Sequence, residues 1–144
     1  MTLDTQESLL TQLYTVLTAD ATLQTNMGGS VSLYPIWAKP DATFPYLVHR
    51  IDMRAGGIWP MRIGTYLVDI WTNSPSATSM VAIRKRLIEL LDEYQFNTTD
   101  VKNVKLNLDT DGFVPETEPD IWHYAMQFSI SLWRQAEAVY IITR

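Results

Sequence analysis

From Trp122 to Leu132 the chain alternates without a break: Trp122, Tyr124, Met126, Phe128, Ile130 and Leu132 are separated by His123, Ala125, Gln127, Ser129 and Ser131. Successive side chains of a strand point to opposite faces, so this pattern dictates a long strand with one buried face and one polar face. A strand of that kind is unstable alone and needs flanking strands and a covering layer. The rest of the chain supplies both.

Two further strands are read at Tyr46-Leu47-Val48-His49-Arg50-Ile51 and at Thr65-Tyr66-Leu67-Val68-Asp69-Ile70-Trp71. The segment between them, Arg54 to Pro60, holds Gly56 and Gly57, which favour a reversal, so the pair is expected as an antiparallel hairpin. Val104 to Leu108 alternates as another strand, and Asp109-Thr110-Asp111-Gly112 is expected to turn out of it. A short strand is expected over Val31 to Tyr34, ended by Pro35, with a loop from Trp37 to Pro45.

The covering layer is helical. Asp4 and Glu7 read as a capping pair, followed at helical spacing by Leu9, Leu10, Leu13, Tyr14, Val16 and Leu17. Asp20 caps a short further turn through Leu23 and Asn26, stopped by Gly28-Gly29. Ser74 followed by Pro75 predicts a helix start, and Met80, Ile83, Leu87, Leu90, Leu91 and Tyr94 recur every three or four residues. A second main helix is therefore expected over 75–94. The sum is an α+β chain: one domain, with a mostly antiparallel sheet covered by two main helices.

With 144 residues, 47% of them apolar, the chain can build one ordinary core. It has no cysteine, which removes disulfides, thiolate nucleophiles and cysteine zinc sites together. A formal charge of −5 argues against sequence-independent nucleic-acid binding, whose affinity comes from lysine and arginine displacing counterions. The start, Met1-Thr2-Leu3-Asp4, lacks the basic-then-apolar pattern of a secretion signal, and the chain is expected to stay soluble where it is made.

Catalytic patterns are weak throughout. No glycine-x-serine-x-glycine elbow is present, and Met27-Gly28-Gly29-Ser30 lacks the lysine of a phosphate loop. His49 and His123 stand on predicted strands without close ligand spacing and read as surface or hydrogen-bonded residues. Asp109 to Gly112 resembles the opening of a calcium loop, but Pro115 and the missing twelfth-position glutamate break the spacing. Arg84-Lys85-Arg86 reads as a solvated helix face with Lys85 paired to Glu89, and Asp52 and Asp69 as charges on the outer face of a sheet. No catalytic, cofactor or metal residue is therefore assigned. The groups that resist a bland reading are apolar: Ile58, Trp59 and Met61 at the hairpin tip, and Val139, Tyr140 and Ile141, with Ile142, in a C-terminal tail (136–144) expected to dock. They are the candidate interface.

In this order and spacing, the chain resembles the tail terminator, or tail completion, proteins of long-tailed phages over about residues 7–134. The resemblance is carried by Leu17 to Leu23, Gly28-Gly29, Leu33-Tyr34-Pro35, Phe44-Pro45-Tyr46, the strand Tyr66 to Trp71 leading into a long helix, and the final strand from Trp122 to Trp133. It implies a virion subunit forming a homohexameric ring that caps the tail tube, ends its polymerisation and offers a face to head-completion proteins. The sheet would face the lumen, and genome DNA would pass without specific binding. No catalytic residue or cofactor comes with the resemblance. Other readings are a different neck component, a small metal-dependent hydrolase using His49 and His123, and a small-molecule-binding module.

Overall fold

In the computed structural model, residues 5–54, 61–99 and 101–134 are described. The chain runs α1 (Thr5–Ala19), α2 (Ala21–Asn26), β1 (Leu33–Pro35), β2 (Tyr46–Met53), β3 (Met61–Asn73), α3 (Thr78–Leu91), β4 (Gln95–Phe96), β5 (Val101–Val114) and β6 (Ile121–Arg134). The strands form one sheet in the order β1-β2-β3-β6-β5-β4, antiparallel except where β1 joins β2 in parallel. The α+β class read from the sequence is the class observed.

The alternating segment is the middle of this sheet. β6 lies between β3 and β5 and pairs with β3 along its length, from Met61 opposite Trp133 to Asn73 opposite Ile121. Tyr124, Met126, Phe128, Ile130 and Leu132 are buried, as alternation requires, and from β3 the even-numbered Tyr66, Val68 and Ile70 join them. Against this face pack Leu9, Leu13 and Leu17 of α1, spaced one helical turn apart, and Met80, Ile83, Leu87 and Leu91 of α3. Leu23 and Met27 close the same cluster.

The short turn after α1 is realised as α2. Asp20 accepts the Leu23 amide at 2.8 Å, and the stop falls at Gly28 and Gly29, whose φ values of 91° and 128° are open to glycine at little cost. The Asp20 carboxylate is also gripped by Arg86 of α3 through two bonds of 2.9 and 2.7 Å. That grip holds the Asp20 carboxyl below its ordinary range. Of the expected first-helix cap, Asp4 lies outside the described residues.

Three expectations are corrected. The helix expected over 75–94 spans Thr78–Leu91, and its N-cap residue Ala77 makes no side-chain cap bond. Ser74 lies four residues before the helix: its side-chain oxygen accepts the Ser76 amide at 3.4 Å, its amide donates to the Asp120 carbonyl at 2.8 Å and its carbonyl accepts from Trp122 Nε1 at 2.9 Å. At the other end Glu93 takes φ 62°, which turns Tyr94 out of the helix to stack on Phe96. Asp109 to Gly112 is likewise no turn, because β5 continues through it to Val114 with one register shift between Leu108 and Thr110. Asp111 is held there by Arg84 and by the Tyr124 hydroxyl, and the β6 ladder outweighs the local turn preference. Glu89, finally, meets Arg86 at 4.0 Å on α3 in place of the Lys85 partner that spacing suggested.

Candidate functional site

The helices take one face of the sheet; among the described residues no helix lies on the other. On that second face stand Tyr46, Val48 and Arg50 of β2, Leu67, Asp69 and Trp71 of β3, and His123 and Ala125 of β6. The loop after β1 reaches over its edge. Ile36, held at φ 66° with its amide on the His49 carbonyl at 2.9 Å, turns the chain outward and leaves Trp37 81% exposed. A left-handed isoleucine is strained, and here it sets the direction of the tryptophan.

Two shallow depressions follow. One, of about 330 Å³, lies between Trp37, Tyr46, Arg50 and Trp71; the second, of about 280 Å³, between Ile36, Leu67, Val114 and His123, and Asp69 borders both. Tyr46 stacks with Trp71 at 6.2 Å, and Trp71 stacks with His123 at 3.8 Å and 15°. The imidazole sits between two carboxylates: Nδ1 is 3.0 Å from Glu116 Oε1 and Nε2 is 3.4 Å from Asp69 Oδ2. The combination of large rings with a few fixed charges is the chemistry of a recognition surface.

At the hairpin end the same face becomes apolar. Met61, Ile63 and Trp133 are 40, 38 and 45% exposed, with Met61 directly opposite Trp133 in the ladder. Of the candidate interface residues, Met61 thus stands at the edge of an exposed apolar cluster. Ile58, Trp59, Val139, Tyr140, Ile141 and Ile142 lie outside the described residues.

The chemistry weighed from the sequence does not assemble. His49 faces the core, 2% exposed, with Nδ1 2.7 Å from the Tyr66 hydroxyl, whereas His123 is on the opposite face. The sheet itself therefore separates the pair that a metal-dependent hydrolase was to use. Asp52 and Asp69 share the outer face but not a cleft: Asp69 is opposite Val48, four residues from Asp52 and so roughly 13 Å along β2. Arg84 and Arg86 splay to different carboxylates, Asp111 at 2.8 Å and Asp20 at 2.7 Å, and neither guanidinium is free for phosphate.

Sequence reasoning missed Trp37, Ile63 and Trp133. For the last two the signal was available, since odd-numbered positions of both strands are out of phase with the buried set. For Trp37 only a proline-flanked loop was visible.

No protein-family model and no curated protein matches the chain. Solved structures do. A chain from the "virion of native gene transfer agent (GTA) particle" superposes with a TM-score of 0.73 over 88% of this chain and 96% of that one, at 14% identity. At that identity the likeness establishes a shared fold over nearly the full length of both chains.

Proposed function

We propose that this protein is a structural component of a phage-like virion and, within it, a tail terminator: a ring that caps the tail tube, ends its polymerisation and joins tail to head. The observation that carries the reading is the shared fold with a chain of a gene transfer agent virion, over 88% of this chain. The sheet face free of helices among the described residues, with rings at one end and Met61, Ile63 and Trp133 at the other, supports it, because an exposed patch of this composition belongs in contact with another protein.

The partners are then further copies of the chain, a tail tube protein and a head-completion or connector protein. Ile58, Trp59 and Met61 are the tube or neighbour contact, extended on β3 and β6 by Ile63 and Trp133. Burial of one tryptophan side chain is worth ~2–3 kcal/mol, and a closed ring repeats each contact in every subunit. A lumen through which DNA passes must not grip it. The net charge of −5, with five acids and no base over residues 109–120, suits that requirement.

Light scattering of the purified protein across a concentration range tests the reading. A mass of about six chains, in solution or only after tube ends are supplied, is expected. A monomer that ignores tubes contradicts it.

A further inference from the structure

β5 leaves part of its backbone without a partner strand. β4 covers only Val104 and Lys105 of it, and the next outward amides, of Leu106 and Leu108, are taken by the Tyr94 carbonyl at 2.9 Å and by Asp92 Oδ1 at 2.8 Å. Past the register shift, Thr110 to Val114 pair one for one with Gln127 to His123 on one side. On the other side, among the described residues, no strand lies against them. Phe113 is 53% exposed and Val114 36%, and as consecutive strand residues they point to opposite faces. Beside Thr110, Asp111 and Gly112, this edge thus carries one exposed apolar side chain on each face.

An occupant must be extended and apolar on both faces. Val139, Tyr140, Ile141 and Ile142 meet that requirement, being β-branched or aromatic without an intervening polar residue. Within their own chain the whole segment cannot lie there, because only its last residues, from Ile141 on, have the length to come beside Thr110. Arg134 is opposite Val101, and from Arg134 to Gln127, opposite Thr110, β6 spans seven residues or ~23 Å. Val139 is five residues past Arg134 and reaches at most ~18 Å, less whatever the crossing of β5 consumes. The antiparallel arrangement, with residue 139 beside Val114, demands a longer span still.

We infer that segment 139–143 of a neighbouring copy adds as a strand along residues 110–114 of β5. The inference rests on the ring reading above and specifies what joins one subunit to the next. Each copy donates a segment and receives one through different surfaces, which is the head-to-tail type of contact that closes into rings.

The chain contains no cysteine, so engineered pairs report cleanly. Thr110→Cys is co-expressed with a second full-length chain carrying one cysteine at 139, 140, 141, 142 or 143, oxidised, and run without reductant beside light scattering of the same sample. Covalent dimers are expected chiefly at the one position directly opposite Thr110, with far less linkage two residues away and least at the positions between, whose side chains point to the other face. Ile141→Asp, with an unchanged thermal midpoint, is expected to fall from ring mass to monomer mass. Full ring mass with no cross-link at any of the five positions overturns the inference and leaves the ring standing. So does a link that closes within one chain carrying both cysteines, or a ring that survives Ile141→Asp. If the unmodified protein stays monomeric both in solution and with tail tubes, the ring reading itself fails and this contact falls with it.

Discussion

His49 shows what a single residue costs when its surroundings fix its charge. Burial lowers its pKa to about 4, and its Nδ1 shares a 2.7 Å hydrogen bond with the Tyr66 hydroxyl. The unfolded chain binds a proton near pH 6.5 and the folded one does not, so stability falls as pH drops from 6.5 to 4, by roughly 3 kcal/mol in full. His49→Gln should flatten that part of the curve in thermal melts taken at pH 7, 6, 5 and 4; an unchanged slope would contradict the assignment. Gly64 carries a steric constraint instead. A methyl placed there would meet Met53 Sδ at 2.5 Å and the Asp52 carbonyl oxygen at 2.7 Å, the latter backbone that cannot swing aside. Gly64→Ala should therefore destabilise by ~1–3 kcal/mol in urea unfolding. The burial of His49 was legible in the sequence, since it falls in phase with Leu47 and Ile51. Its pairing with Tyr66, seventeen residues away, was not, because no local pattern encodes which core hydroxyl meets which ring.

Strands set by a hydrophobic period are legible in the sequence, while elements set by local signals are open to tertiary override. β2, β3 and β6 contain the segments their alternation indicated and run a few residues further. Asp109 to Gly112 carried good local chemistry for a turn, but Arg84, Tyr124 and the β6 ladder claimed the segment, while the Ser74 side chain closes only a local bond to the Ser76 amide as its backbone is tied to Asp120 and Trp122. Asp20 is the opposite case, where cap and tertiary contact agree. It holds the first turn of α2 and ties it to Arg86 of α3, so Asp20→Ala should cost about 1 kcal/mol from the cap alone, measured by urea unfolding at pH 7. Its carboxyl is depressed chiefly by the Arg86 hydrogen bond. The stabilisation is present above the usual carboxylate value of 3.8 and is lost as pH falls through the lowered one. The variant should therefore also lose part of its acid lability below pH 4, a window separate from that of His49.

At the scale of the whole molecule, the arrangement is a sheet with helices on one face and a second face carrying rings, two carboxylates around an imidazole, and an apolar hairpin end. The existence of a polar second face was legible in the alternation of β6. Its depressions were not, because they arise where the loop at Ile36 and Trp37 meets the strands β2, β3, β5 and β6. Trp37, 81% exposed, contributes little to the fold, and Trp37→Ser should leave the thermal midpoint nearly unchanged while weakening association with tubes or neighbouring copies in sedimentation. Growth of tail tubes from purified tube protein, with and without this protein, tests the central claim most directly. Tubes that stop elongating and carry a ring of density at one end are the predicted result; tubes that lengthen equally in both samples, with bare ends, would contradict the account.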